Sequence, residues 1–227
     1  MKTSNKLLTG GLIVLLLGIV AVMIGIKINY NKIVEHRQQN LKMETRQVNP
    51  FHSIHITGNL NVEWKQDSVQ RVSVEAFKEQ SSLVKTSVRN GCLYVSAEAI
   101  SAEAPVVNLH IASSEIQQLT LKDSCKFETV SDLQFKDFKL DMSGHTSAKL
   151  EGTVSSAVII CSADSRLAAG DLTVQECYIE AMTGSVAHLE VDRKLDVLAK
   201  SDARVYYSGR PESVDINTSG DGTAEPY

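Results

Sequence analysis

Aromatic side chains make up only 5% of the 227 residues, and proline occurs four times. So few aromatics weigh against a sandwich core filled with rings, and so few prolines against a disordered or collagen-like chain. Basic charge is not in excess either: 23 Lys and Arg face 27 Asp and Glu, a net charge of −4. Lys2, Lys6 and Lys27 are the only charges in residues 1–28, so the rest of the chain carries −7, the wrong sign for a nucleic-acid partner. The sequence has no C-x-x-C pair, no G-x-S-x-G elbow, no H-E-x-x-H and no phosphate-cradling glycine loop. Structural zinc, α/β-hydrolase chemistry, zinc peptidase chemistry and nucleotide binding therefore lose their signatures. What is present is a 43% share of hydrophobic residues, enough apolar surface to offset the entropy of ordering a folded domain.

The first feature is an apolar run. From Leu7 to Ile26, LLTGGLIVLLLGIVAVMIGI continues for twenty residues without a charge. As a helix it would span about 30 Å, the thickness of a bilayer's hydrocarbon core, so residues 1–28 are expected to be an uncleaved, single-pass transmembrane anchor. A cleaved signal peptide needs a shorter apolar region and a small-residue site, which Ile24-Gly25-Ile26-Lys27 does not supply. No cysteine lies near the end of the run to accept a lipid. Lys2 and Lys6 on one side are matched by Lys27, Lys32 and Arg37 on the other, so charge does not fix the orientation. The short leading tail suits an anchor that exports the C-terminal part of the chain. The expected location is the inner, cytoplasmic membrane, with the C-terminal domain in the periplasm or outside the cell. Residues 29–46 are polar with scattered Ile33, Val34, Leu41 and Met43, and read as a juxtamembrane linker.

After Pro50 the texture changes to short β-rich runs, such as Ser53-Ile54-His55-Ile56-Thr57 and Leu93-Tyr94-Val95. Small polar turns recur behind these runs, with hydroxyl residues at Ser124, Ser143, Ser162, Thr183, Ser201 and Ser219. The spacings are 19, 19, 21, 18 and 18, the short end of the range for solenoid repeats. Phe138, Leu140 and Met142 alternate with Lys139 and Asp141, the period of a strand with one buried face. These features predict an all-β domain over 47–227, a parallel β-helix or solenoid with coils of about 19 residues, less regular over 47–113. Asn90-Gly91 and Asp221-Gly222 are hairpin signals that would suit the alternative, an antiparallel sandwich.

Gln47-Val48-Asn49-Pro50-Phe51-His52-Ser53-Ile54-His55-Ile56-Thr57-Gly58-Asn59-Leu60-Asn61-Val62-Glu63-Trp64, followed by Val72-Ser73-Val74-Glu75-Ala76, resembles the opening of the head GIN domain family of auto-transporter adhesins. Val205-Tyr206-Tyr207-Ser208-Gly209-Arg210-Pro211, leading to Ser219-Gly220-Asp221-Gly222, is similar to that family's closing segment. The resemblance covers the globular part and implies a right-handed β-helix-like fold. Its motifs are structural and imply no catalytic residue. The sequence departs from the family after Gln66, where Asp67-Ser68 stands in place of a common glycine.

The residues that could carry chemistry have plain structural roles open to them. Cys125 and Cys161 fall two coils apart, too far for a disulfide, and Cys177 is expected to face away from Cys161, so Cys92, Cys125, Cys161 and Cys177 read mostly as buried free thiols. His52 and His55 should point to opposite faces, and His110, His145 and His188 belong to different coils, so no histidine metal site is expected. Asp123, Asp141, Asp164, Asp202 and Asp221 flank the turns and would form an acidic ladder suited to calcium. Their uneven offsets favour backbone-bonding turn residues instead. No metal, cofactor or catalytic site is therefore expected. The reading is a non-catalytic binding, adhesion or envelope scaffold module that takes an envelope protein or glycan on a flat face and self-associates through the coil edges of Ser219 to Tyr227. The alternatives are a small carbohydrate-active enzyme using Asp141 and Asp164, and a signalling ectodomain with a cytoplasmic partner.

Overall fold

The computed structural model describes residues 18, 22–27, 41–97, 100 and 107–227. The chain divides into two compact units, residues 1–41 and 42–227. In the first, residues 22–27 are helical. Among the described residues no helix is long and apolar enough to cross a membrane. Most of the Leu7–Ile26 run, and residues 29–40 of the expected linker, lie outside the described residues.

The second unit is built almost wholly from strands that stack as successive coils. Its less regular first half holds β1 (Leu41–Arg46, in this unit from Lys42 onward), β2 (Ser53–Gly58), β3 (Leu60–Gln66), β4 (Arg71–Phe77), β5 (Lys85–Arg89), β6 (Cys92–Ala97) and β7 (Val107–Ser113). The regular half holds β8 (Gln118–Asp123), β9 (Lys126–Thr129), β10 (Leu133–Gly144), β11 (Ser147–Cys161), β12 (Arg166–Ala181), β13 (Val186–Lys200), β14 (Arg204–Ser208), β15 (Ser213–Ser219) and β16 (Thr223–Pro226). One wall runs β6-β2-β8-β10-β11-β12-β13-β15, all parallel, and β5 adds antiparallel to β6 at its edge. The other runs β7-β3-β9-β11-β12-β13-β14-β16, again parallel, with β4 antiparallel on β7 and β1 beyond it. The long strands β11, β12 and β13 turn the bends within one strand and so serve both walls. Leu41–Arg46, expected within the linker, is thus a strand of this sheet.

Alternation decides which side chains enter the coil. On the first wall one inward column reads Leu93, Ile54, Leu119, Leu140, Ile159, Ile179, Val197 and Ile216, each in register with the next. On the second, Leu109, Val62, Phe127, Ala148, Leu167, Ala187, Val205 and Ala224 form its counterpart. Nearly all of these residues are buried, and each large aliphatic so placed contributes roughly 1.5–3 kcal/mol. The sole tryptophan, Trp64, is fully buried, and its indole N–H donates to the Ser113 hydroxyl at 2.8 Å.

The corner between the walls is set by backbone conformation. Asp123, Gly144, Ala163, Thr183, Ser201 and Gly220 all have positive φ, between 51° and 80°, and fall in one column when the strand registers are extended. Their spacings are 21, 19, 20, 18 and 19. The repeat read from hydroxyls is therefore right in length but slips in phase. Ser143, Ser162 and Ser219 share a column with Lys122, Met182 and Lys200, while Thr183 and Ser201 sit one residue further on. A one-residue slip reverses the face of every side chain. This is why Cys177, expected to face away from Cys161, is buried in the same interior: Cys161 pairs with Ala181 and Cys177 with Ala157. The Asn90-Gly91 hairpin signal is realised as the tight turn joining antiparallel β5 and β6, both residues at positive φ.

Candidate functional site

On the outward face of the first wall every second residue of the parallel strands points away from the coil interior. On β11 and β12, Val158 and Tyr178 are register partners and each remains 39% exposed. Ile160 and Leu198, two positions along on β11 and β13, are half-buried beside them. Charged side chains lie among these apolar residues: Glu180, bonded by Lys200 at 3.3 Å, is the register neighbour of both Ile160 and Leu198, and Asp196, bonded by Lys194 at 2.7 Å, is that of Tyr178. Next to Val158 lies an open cleft of about 500 Å³ whose other walls include Gln117, Lys136, Asp137, Phe138 and Ser156. Such a surface mixes apolar contact with hydrogen-bonding and charged groups.

The second wall carries a polar cluster near its antiparallel end. His110 on β7 places Nδ1 3.1 Å from Glu63 Oε2 on β3 and Nε2 3.7 Å from Glu75 Oε2 on β4. Asn108 donates to the same Glu75 oxygen at 2.9 Å. Beside the cluster a cleft of about 200 Å³ is lined by Met43, Lys65, Arg71 and Ser73 as well as His110. Ser73 is the register partner of His110, but its hydroxyl bonds the Thr45 hydroxyl at 3.2 Å. Glu63 thus holds the imidazole through Nδ1, Nε2 is buried without a hydrogen bond among the described residues, and the hydroxyl beside the ring is engaged elsewhere.

The residues singled out from sequence are not drawn into one site. Asp141 lies on β10, outward and half-buried, while Asp164 sits in the corner turn after β11, its side chain 60% exposed. Neither lines either of these clefts. Of the five turn aspartates, Asp202 and Asp221 align from coil to coil, but Asp123 stacks with Gly144 and Asp164 with Gly184. Among the described residues no group of three His, Cys, Asp or Glu is placed to hold a metal ion. Asp67, where the sequence departs from the family, accepts the Val69 N–H at 3.1 Å and so closes its own turn. That bond and Lys65 hold its carboxyl below the usual range.

All four cysteines are free. Burial pushes the thiols of Cys125, Cys161 and Cys177 up to about 12, which leaves them protonated and unreactive. The histidines show what pattern reading misses: His55 packs on Tyr94 with ring centroids 5.4 Å apart, His188 stacks on Tyr206 at 4.8 Å, and His110 pairs with Glu63. All these partners come from neighbouring strands.

The architecture defines an all-β domain of stacked coils with a solvent-facing parallel sheet. The family model described as "Putative auto-transporter adhesin, head GIN domain" matches residues 50–211, and the chain belongs to that family. A "putative adhesin" from Bacteroides fragilis is similar in structure, with a TM-score of 0.66 at 15% identity, covering 82% of this chain and 97% of its own. A "putative lipid binding protein" from Parabacteroides distasonis has a TM-score of 0.52 at 15% identity, covering 83% of this chain and 97% of its own. A "putative adhesin" from the same species has a TM-score of 0.50 at 15% identity, covering 82% and 97%. No curated protein matches the chain.

Proposed function

We propose that this chain is a membrane-anchored, exported solenoid that acts as a non-catalytic binding or adhesion module of the cell envelope. Residues 1–28 hold it in the inner membrane as a single-pass helix, and the C-terminal domain is exported. Its outward face takes an envelope protein or a glycan. The observation that carries this reading is the group of outward apolar side chains Val158, Tyr178, Ile160 and Leu198, interspersed with the charged Glu180 and Asp196 on the same face. Membership of a family described by adhesion supports it.

The test is binding of the full chain, in detergent micelles, to a glycan panel and to isolated envelope fractions. The expected result is binding that the Val158→Lys/Tyr178→Lys double variant loses while its thermal unfolding stays unchanged. Binding that survives the double variant would overturn the reading. So would cleavage of a glycan that Asp141→Asn abolishes.

A further inference from the structure

The interior column of the first wall closes at one end and opens at the other. Ile159 and Ile179 are fully buried and Val197 is 3% exposed, but Ile216, next in the column, is 39% exposed. Val214 is 41% exposed where Leu195 above it is fully buried. Among the described residues β15 pairs only with β13 and β16 only with β14, so each presents a row of unpaired backbone donors and acceptors. The opposite edges are guarded: β5 carries Lys85 and Arg89, and β1 carries Lys42 and Arg46. Strands β15 and β16 carry no lysine or arginine. No bulge interrupts β15, whose register on β13 is unbroken from Ser213 to Ser219.

We propose that the open coil is a self-complementary interface, in which β15 of one copy pairs antiparallel with β15 of a second copy about a two-fold axis at Ile216. The register follows from the sequence of the strand, SVDINTS. Centring on Ile216 overlaps the whole strand and sets Ile216 against Ile216 and Val214 against Thr218 on the inward side. On the outward side Asp215 lies opposite Asn217 and Ser213 opposite Ser219, with no like charges facing. Centring on Asp215 would oppose two carboxylates. A shift by half a step would mix inward and outward faces. The two-fold axis uses the same edge on both copies, so assembly stops at two. A single seven-residue strand pairing with its copy is a small contact, which fits a reversible dimer with a Kd of about micromolar. The inference is independent of what the outward face binds.

The test is sedimentation of the full chain in detergent micelles from about 1 to 100 μM, together with variants on β15. The expected result is a monomer–dimer equilibrium that Ile216→Lys weakens at least about tenfold and that Val158→Lys leaves unchanged. Asn217 is exposed, so its variants keep the fold and read charge alone. Asn217→Asp sets a second carboxylate against Asp215 of the other copy and weakens the dimer severalfold, whereas Asn217→Lys sets an ammonium there and tightens it. In a Cys92→Ser background, Ile216→Cys should give a disulfide-linked dimer on mild oxidation. A chain that stays monomeric at about 100 μM overturns the proposal. So does a dimer indifferent to all three β15 charges, or a monomer whose position 216 cross-links in cells to a different protein.

Discussion

The inward column gives a paired experiment in which one substitution, isoleucine to alanine, is made at two places along the same ladder. Ile179 is fully buried, with Ile159 and Val197 in register on either side, so a cavity there cannot be filled by relaxation of one neighbour. Removing its side chain should cost about 3–4 kcal/mol, within the range for buried isoleucine. Ile216 has a coil on one side only and is already 39% exposed, so the same change should cost about 1 kcal/mol. The assay is urea unfolding at low protein concentration, followed by the fluorescence of Trp64 and by circular dichroism. Trp64 is a usable reporter because it is the sole tryptophan and is fully buried. Coincidence of the two signals checks that the coils unfold as one unit. Equal losses at the two sites in dilute solution would refute the reasoning, because they would mean that the last coil is covered within a single chain. A cost at Ile216 that grows with protein concentration would instead be the signature of the dimer.

Gly152 has φ of 129°, and an added Cβ would fall on the backbone N and O of Leu133, so Gly152→Ala should lose more than about 3 kcal/mol in the same unfolding assay. A thiol reagent applied to the native chain should label Cys92, which is half-buried, and reach Cys125, Cys161 and Cys177 only on unfolding. A native disulfide among them would contradict the register. Burial, then Lys122, lowers the pKa of His55, with Asp141 opposing. The unfolded chain therefore takes up this proton first as pH falls below about 6.5, and the native state loses stability from there downward. His55→Gln should flatten that part of the thermal stability profile, and an unchanged slope between about pH 7 and 5 would count against it.

How much of the fold and the site is legible in the sequence depends on the range of the interaction concerned. Strand alternation is local, and Phe138 to Met142 or Ile54 to Ile56 announce their buried faces directly. The coil length is also legible, since a closed coil returns after a near-constant number of residues. Its phase is not, because the repeated feature is a left-handed backbone corner. Ala163, Thr183 and Ser201 fill that position against their intrinsic preference, and nothing in their side chains marks it. The antiparallel strands β4 and β5 differ in this respect. Asn90-Gly91 signals the hairpin of β5, whereas β4 reaches β7 across an intervening stretch with no local cue. The His110 cluster joins residues 35 and 47 positions away, so it exists only once the register is known. For the same reason the apolar pair Val158 and Tyr178 looks like ordinary strand alternation until coils are stacked.

The central claim is that a single helix holds an exported solenoid at the inner membrane. Protease accessibility of the folded domain tests it most directly, compared among intact cells, cells with a permeabilised outer membrane and inverted inner-membrane vesicles. The account predicts protection in intact cells and digestion once the outer membrane is permeabilised. Digestion only in inverted vesicles would contradict export, and digestion in intact cells would contradict the inner-membrane anchor.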